Sequence, residues 1–367
     1  MSNSDKSIDK TVEPLVKKAK EDEVELVWDR LETQLPQCGF GQLGICCKNC
    51  SMGPCRIDPF GEGASAGVCG ATADTIAARN FIRMVAGGAA AHSDHGRGVA
   101  LTLLALANGE ASDYKIKDEQ KLIAVALDFG IEIGERSTEQ IVKDVAKAVL
   151  AEFGNQEGEI RYLKKAPLRR QELWRKQGIA PRGIDREIVE IMHRTHMGVD
   201  HDPEHLLRQG MRASLGDGWG GSMLATDVQD ILFGTPEPIL GEANLGTLSE
   251  DEVNIIVHGH EPLLSEMIVI AAQDKELLDL AKQKGAQGIN ITGMCCTGLE
   301  LLMRHEIPIA GNFLQQELAV VTGAVEAVVV DIQCIMPALA NVAQCYHTKI
   351  ISTSPIAKFP GTTYIEF

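Results

Sequence analysis

Apolar residues recur at helical spacing through the first two thirds of the chain. The clearest stretches, in chain order, are 24–35, 72–107, 137–153, 168–178, 185–198 and 222–234. Residues 72–107 are rich in alanine, which indicates close helix packing because small side chains let neighbouring helices approach. The pattern predicts a mostly α-helical region that extends to about residue 236.

The pattern changes after residue 236. Short β-branched, apolar runs such as residues 253–260 and 325–334 alternate with helical stretches such as residues 263–285. Strands that are apolar on both faces are typical of a parallel sheet covered by helices on each side. The predicted fold class is therefore α + α/β, with a doubly wound parallel sheet in the second part of the chain.

One segment shows neither pattern. Residues 38–70 are rich in glycine and proline and contain six of the ten cysteines. Such a segment cannot fold on a hydrophobic core of its own, so something else must order it. We therefore predict four parts of the chain. They are an N-terminal arm and helix (residues 1–37), a cysteine-rich segment (residues 38–70), a helical domain (residues 71–236) and an α/β domain (residues 237–367).

Composition and charge exclude several classes of protein. The 367 residues are 44% hydrophobic and carry a formal net charge of −16, which disfavours binding to nucleic acid. The N-terminus does not resemble a signal peptide, and no run of 18 apolar residues predicts a membrane span. We therefore expect a cytoplasmic protein, in which clustered cysteines indicate metal ligands or redox thiols rather than disulfides.

The cysteine spacing favours an iron–sulfur cluster. Such clusters commonly take four thiolates, several of them close together and one more distant. Four cysteines fit this pattern: Cys47, Cys50, Cys55 and Cys69. Zinc is the main alternative, but a tetrahedral zinc site needs four ligands and six cysteines are present here. Cys38 and Cys46 remain, and two chains related by a twofold axis would supply four thiolates. This suggests a homodimer with a shared cluster, although two free thiols satisfy the same count.

A second group of metal-ligating residues falls at predicted strand ends. His260 ends the first strand of the α/β domain, Cys295 and Cys296 end the second, and Cys334 ends the fourth. Ligands of open parallel sheets bind outside the carboxyl ends of the strands, so these residues predict a metal site. His258 is two residues away and is more simply interpreted as a hydrogen-bonded core residue.

Three further residues have open interpretations. His92 and His95 are one helical turn apart, which places them on one face where they could bind metal or relay protons. A solvated helix face explains the same spacing. Cys345 falls in an amphipathic helical pattern and is predicted to be a packed thiol.

Taken together, the motifs resemble those of the anaerobic nickel–iron carbon monoxide dehydrogenases. The phrases, in the order of that family, are "CCKNCSMGPCRI", "GVCGA", "AAHSDHGR", "VHGHEP", "CCTG" and "DIQCI". The resemblance covers essentially the whole chain and implies a helical domain followed by Rossmann-like α/β domains. It also implies that a second C-terminal α/β domain of the family, with further cluster ligands, is absent from this chain.

The resemblance implies three kinds of cluster. A [4Fe–4S] B-cluster would be held by Cys47, Cys50, Cys55 and Cys69. A [4Fe–4S] D-cluster would bridge two subunits through Cys38 and Cys46. A catalytic [Ni–4Fe–4S] C-cluster would take His260, Cys296 and Cys334 among its ligands, with the other ligands missing, and Cys295 would be a neighbour.

The implied reaction is the reversible oxidation of CO with water to CO2, two protons and two electrons. The electrons would pass through the clusters to ferredoxin or a similar carrier, and an acetyl-CoA synthase subunit is a further possible partner. His92 and Asp217 match residues beside the catalytic cluster. Gly98 and Leu101 stand where some relatives continue a histidine path, and neither of these side chains can carry a proton.

Two alternatives stay open on the sequence alone. One is a non-catalytic electron-transfer dimer that lacks a complete C-cluster, and the other is a hybrid-cluster protein of the hydroxylamine reductase type. Because ligands of the C-cluster are missing, we expect the isolated chain to carry B- and D-type clusters without oxidising CO.

Overall fold

The computed structural model describes residues 6–367. The α-helices are α1 Val12–Glu21, α2 Val27–Thr33, α3 Gly39–Gln42, α4 Ala73–Ala107, α5 Glu119–Asp128, α6 Thr138–Phe153, α7 Leu168–Lys176, α8 Ile184–Arg194, α9 Pro203–Asp217, α10 Met223–Phe233, α11 Pro262–Ala272, α12 Lys275–Gln283, α13 Cys295–His305, α14 Gln316–Val321 and α15 Leu339–Ala343. The strands are β1 Cys46–Cys47, β2 Cys55–Arg56, β3 Val253–Gly259, β4 Ile289–Met294, β5 Ile309–Gly311, β6 Val325–Val330, β7 Lys349–Ser352 and β8 Thr363–Tyr364.

The chain divides into two compact units, here called the helical unit and the α/β unit. The helical unit comprises residues 36–235, and the α/β unit combines residues 1–35 with residues 236–367. The predicted fold class, a mostly helical part followed by a parallel α/β sheet, is confirmed. In the part of the chain from residue 6 onward, no helix is both long and apolar enough to cross a bilayer.

The helical unit is organised around α4. This helix packs against α6, α8, α9 and α10. The hydroxyl of Thr72 caps its first turn by accepting a hydrogen bond from the backbone N–H of Thr75. Gly96 permits close packing in the middle of the helix, because a Cβ there would lie 2.7 Å from the ring of Phe153. The helix predicted over residues 72–107 is therefore a single long element, as the alanine-rich pattern indicated.

The α/β unit contains one parallel sheet. Among residues 6–367, six strands form it in the order β5-β4-β3-β6-β7-β8. The central strands bury apolar side chains, and Ile256, Val328 and Val330 are at most 2% exposed. Burial on both faces explains why the strand segments read as continuous apolar runs.

The N-terminal helices belong to the α/β unit. Val12, Val16 and Leu26 are buried in the same core cluster as the central strands. The backbone N–H of Val27 donates to a carboxylate oxygen of Glu317 at 2.7 Å. The sequence pattern predicts a separate arm and helix over residues 1–37. Residues 1–5 of that arm lie outside the described residues, and the remainder packs on α14 because its apolar stripe needs a partner surface.

Two local predictions differ from the structure. Residues 263–285 form two helices rather than one, because the Asp274 carboxylate caps α12 by accepting from the N–H groups of Glu276 and Leu277. Cys345 lies beyond the end of α15 and is exposed, so the prediction of a packed thiol in a helix is wrong. The amphipathic sequence pattern continues through residue 345, but helix α15 ends at residue 343.

Candidate metal centres

The centre of the parallel sheet has the geometry that open α/β folds use for ligands. Strands β3 and β6 are neighbours, while the strands that follow each of them lie on opposite sides. Their carboxyl ends therefore flank a topological switch point. His260 directly follows β3, Cys334 lies in the loop after β6, and Cys295 and Cys296 open α13 at the end of β4. We call these residues the edge site.

A buried carboxylate connects the segments that carry the edge site. Asp331, the first residue after β6, is 3% exposed. Its oxygens accept hydrogen bonds from the backbone N–H of His260 at 2.7 Å and of Glu261 at 3.3 Å. They also accept from the Thr297 hydroxyl in α13 at 2.8 Å, and from the backbone N–H of Ile332. Asp331 therefore holds the ends of three strands in register.

Burial and neighbouring charge shape the acid–base properties of the edge site. Burial raises the pKa of Cys295 to about 12, and the nearby Cys334 and Cys296 add to the rise. The pKa of Cys296 is raised in the same way, first by burial and then by Cys334. Burial also raises the pKa of Asp331 to about 7. Burial and the neighbouring thiols therefore oppose the ionisation of Cys295 and Cys296, and a bound cation would reverse this effect.

The backbone is strained at two of these cysteines. Cys295 has φ of 60° and Cys334 has φ of 57°, and Gln333 beside it has φ of 66°. A residue with a side chain rarely adopts this left-handed conformation, at a cost of about 1–3 kcal/mol. Such strain concentrates at functional sites. A close contact between Gly293 and Gly298 also lets α13 begin directly beside β4, because a Cβ on either glycine would overlap the other.

His258 has a structural role in this unit. It is fully buried, and its Nε2 lies 3.2 Å from the Oε1 of Gln316. The Gln316 amide in turn donates to the Cys334 carbonyl oxygen at 3.1 Å, and its Oε1 accepts from the Met336 N–H at 2.9 Å. The prediction of a hydrogen-bonded core histidine is confirmed. Gln316 supports the loop that carries Cys334.

The cysteine-rich segment forms a second candidate centre, in the helical unit. Strands β1 and β2 pair antiparallel, with Cys47 opposite Cys55. Ile45 and Ile57 pack on Ile76 of α4, so the segment forms its small hydrophobic core against that helix. Asn80 of α4 fixes the same segment by donating to two carbonyl oxygens of the turn before β1 and of β1 itself.

The four cysteines predicted as one ligand set line a single cavity: Cys47, Cys50, Cys55 and Cys69. The backbone N–H of Val68 donates to the Cys55 sulfur at 3.5 Å. Two buried donors without a partner, Asn49 Nδ2 and Arg79 Nε, also belong to residues that line this cavity. Soft thiolate donors surrounded by N–H groups suit an iron–sulfur cluster. We call this place the four-cysteine cavity.

Cys38 and Cys46 lie outside that cavity. Cys38 is exposed and Cys46 is half-buried. Hydrogen bonds from the backbone N–H groups of Gly41 and Phe40 lower the pKa of Cys38. A lowered pKa favours the thiolate, which is the form that binds metal.

The predicted histidine pair has separate partners. His92 Nδ1 lies 2.7 Å from Asp217 Oδ1, and this hydrogen bond raises the pKa of His92 against the opposing effect of burial. His95 is buried, and the Gln229 amide donates to its Nε2 at 2.6 Å. Asp217 ends α9 just before a π-helical turn over Gly218–Ser222, a feature that is frequent at functional sites.

No single-ion site is preformed in the part of the chain that the structure describes. Over residues 6–367, no three histidine, cysteine, aspartate or glutamate side chains are grouped to hold one metal ion. A polynuclear cluster is a larger body whose ligands bind different atoms around it. The donor sets of the edge site and the four-cysteine cavity fit such clusters better than a single ion.

Comparison with known proteins identifies the family. The profile of the Prismane/CO dehydrogenase family matches residues 45–367. The chain belongs to this family. The resemblance predicted from the cysteine and histidine motifs is thereby confirmed.

Individual members of the family are similar along the whole chain. Carbon monoxide dehydrogenase 1 of Methanosarcina mazei is 64% identical over 363 residues, which is 99% of this chain and 58% of that protein. A nickel-free crystal structure of carbon monoxide dehydrogenase from Thermococcus sp. AM4 superposes with a TM-score of 0.97 at 54% identity, covering 100% of this chain and 58% of that one.

A third relative is a larger assembly. A structure of acetyl-CoA synthase/carbon monoxide dehydrogenase, described with NiZn[Fe4S4] and NiNi[Fe4S4] clusters, has a TM-score of 0.94 at 45% identity. The structural match covers 100% of this chain and 55% of the chain in that assembly. The chain therefore spans a little over half the length of the family members that it matches.

The sequence pattern did not reveal the roles of Asp331 and Arg79 or the pairing of His92 with Asp217. Asp331 directly follows the apolar run of β6, and a carboxylate at that position of a parallel strand is a usable signal. The pairing of His92 with Asp217 joins residues 125 positions apart and has no local signal. The burial of Arg79 beside the four-cysteine cavity depends on packing that the sequence pattern does not reveal.

Proposed function

We propose that this chain forms part of a nickel-dependent carbon monoxide dehydrogenase. The reaction is the reversible oxidation of CO with water to CO2, two protons and two electrons. The observation that carries the proposal is the edge site, where thiols and an imidazole gather at the switch point of a parallel sheet in a chain of this family. Thiolate and imidazole ligands suit nickel and iron.

The edge site would hold part of the catalytic nickel–iron–sulfur cluster through His260, Cys296 and Cys334. When bound, such a cluster supplies Lewis acidity and stores the electrons released from CO. This chain contributes the frame. Asp331 fixes the backbone of His260, and Gln316 fixes the loop of Cys334, so both ligands are oriented before metal arrives.

His92 is the proposed proton carrier of the helical unit. Asp217 accepts from its Nδ1, and this hydrogen bond orients the imidazole ring for proton transfer. The raised pKa of His92 suits proton transfer near neutral pH. Asp217 is then a positioning residue, with a second proposed role beside the reacting water.

The four-cysteine cavity would hold a [4Fe–4S] cluster of the B type. When bound, this cluster would transfer one electron at a time. Cys38 and Cys46 would supply half of the ligands of a D-type cluster shared by two chains, which makes the proposed assembly a homodimer.

Electrons would pass to a ferredoxin-like carrier, and the similarity to an acetyl-CoA synthase assembly supports a synthase subunit as a further partner. The proposed location is the cytoplasm.

The test is CO-dependent reduction of methyl viologen by the full-length natural protein, purified without oxygen and loaded with nickel. We expect turnover with CO that depends on nickel. A protein with full iron and nickel that reduces hydroxylamine but does not oxidise CO would contradict the proposal and favour a hybrid-cluster function.

A further inference from the structure

A buried arginine lines the four-cysteine cavity. Arg79 of α4 is 1% exposed. Its Nη2 donates to the backbone carbonyl oxygen of Asp200 at 2.6 Å, while its Nε is buried and has no hydrogen-bond partner. Along the described chain, residues 6–367, no carboxylate forms an ion pair with it. The Asp200 carboxylate instead pairs with Arg194 and His205.

The charge of Arg79 therefore has no ion-pair partner among residues 6–367. A guanidinium keeps its proton at every accessible pH, so neutralisation does not relieve the cost of its burial. Buried charges in stable proteins are paired or coordinate an ion. The side chain nevertheless faces a cavity lined by four cysteines, where the missing negative charge could reside.

Asn49 has the same deficiency. Its Nδ2 is buried without a partner, and the residue lines the same cavity one position before Cys50. Two unsatisfied N–H donors at one cavity call for an acceptor that the cavity itself must contain. Thiolates and the sulfides of an iron–sulfur cluster are such acceptors, and together they are negatively charged.

We propose that Arg79 and Asn49 are the counter-charge and the hydrogen-bond donor of the cluster in the four-cysteine cavity, and that they raise its reduction potential. The proposal rests on the proposed function, which places a [4Fe–4S] cluster there. Reduction adds one electron and thus one negative charge to the cluster. A fixed positive charge and an N–H donor stabilise that added charge, so the reduced state is favoured.

The experiment is a potentiometric titration of the anaerobic full-length protein, with dithionite as the reductant and mediator dyes, followed by the EPR signal of the reduced cluster. Arg79→Gln is expected to lower the ratio of reduced to oxidised cluster at least about tenfold at a fixed potential, which is a shift of about 59 mV for one electron. Arg79→Lys keeps the charge and is expected to shift the ratio less. Asn49→Leu is expected to shift it in the same direction as Arg79→Gln.

A matched control lies one helical turn further along α4. Arg83 donates to the Thr195 hydroxyl at 2.7 Å and does not line the cavity, so Arg83→Gln removes the same charge elsewhere. We expect its cluster to titrate as in the unmodified protein. If Arg79→Gln does not fold, Asn49→Leu still decides whether the unsatisfied donors at the cavity set the potential of the cluster.

The failure of this inference differs from the failure of the proposed function. Full iron with an unchanged potential in Arg79→Gln would overturn the role of Arg79, and the same result in Asn49→Leu would overturn the role of Asn49, while the cluster stands. Unchanged iron in Cys50→Ser would instead show that the cavity holds no cluster and would overturn both.

Discussion

Asp331 Oδ1 lies 1.7 Å from the position that a Cβ atom on Gly259 would occupy. Gly259 ends β3 with φ of 143° and directly precedes His260. The carboxylate therefore fills the space that a side chain would take and reaches the backbone N–H of His260. Because residue 259 has no side chain, Asp331 can make the hydrogen bond that fixes the backbone of His260, a proposed metal ligand.

Gly259→Ala should therefore destabilise the α/β unit and displace His260. We expect the free energy of unfolding to fall by about 3 kcal/mol or more, because overlap with a buried carboxylate adds to an unfavourable φ. Gly323→Ala is the matched control, since Gly323 has φ of 77° but open space around it. Its cost should be about 1 kcal/mol. Chemical unfolding of both variants measures the difference, and equal stability would contradict the role of the close contact.

The pair of His92 and Asp217 predicts a pH-dependent effect. Because Asp217 raises the pKa of His92, the pair stabilises the folded protein fully below the unfolded pKa of about 6.5. This contribution is lost as pH rises through the raised, folded-state pKa. Asp217→Asn should therefore lower stability more at pH 6 than at pH 9, by at most about 1 kcal/mol since the pair is partly exposed.

Asp185→Asn is the control for this prediction. Asp185 pairs at 2.8 Å with Arg97, which stays charged throughout this range, so its effect should not change between pH 6 and pH 9. Thermal unfolding midpoints at both pH values provide the comparison. A loss in Asp217→Asn that is equal at the two pH values would show that the histidine is not titrating in this pair.

The sequence pattern predicted much of the fold, and the reasons are local. Alanine-rich periodicity located α4 because a helix repeats its buried face every three to four residues. Continuous apolar runs located β3 and β6 because both faces of a parallel strand are covered. The placement of α1 and α2 on the α/β unit was not predictable in this way, since it joins segments separated by more than two hundred residues, such as Val27 and Glu317.

For the candidate centres, the sequence predicted only the ligand residues and their positions at the strand ends. His260, Cys296 and Cys334 come to one edge because parallel strands share their carboxyl ends. Asp331 and Gln316, which hold that edge together, are polar residues whose burial follows from packing. Cys345 shows the opposite error, because a cysteine in an apolar pattern is exposed in a turn.

The proposed shared cluster makes a prediction about iron and association. Replacing both Cys38 and Cys46 by serine should remove about half a [4Fe–4S] cluster per chain, because each chain would supply half of the ligands. Cys50→Ser should instead remove about one whole cluster per chain. Iron analysis and sedimentation of the anaerobic protein check both variants. A full iron count in the double variant would exclude the shared site.

Two exposed cysteines of the α/β unit allow a matched test of catalytic metal binding at the edge site. Cys334 lies at the edge site, and Cys345 lies in the turn after α15. The measurement is nickel content together with CO-dependent viologen reduction in Cys334→Ser and Cys345→Ser variants of the full-length protein. We predict that Cys334→Ser loses both by at least about tenfold, because loss of a ligand costs more than loss of its supporting contacts, while Cys345→Ser retains both. Full nickel and full activity in Cys334→Ser would contradict metal binding at the edge site.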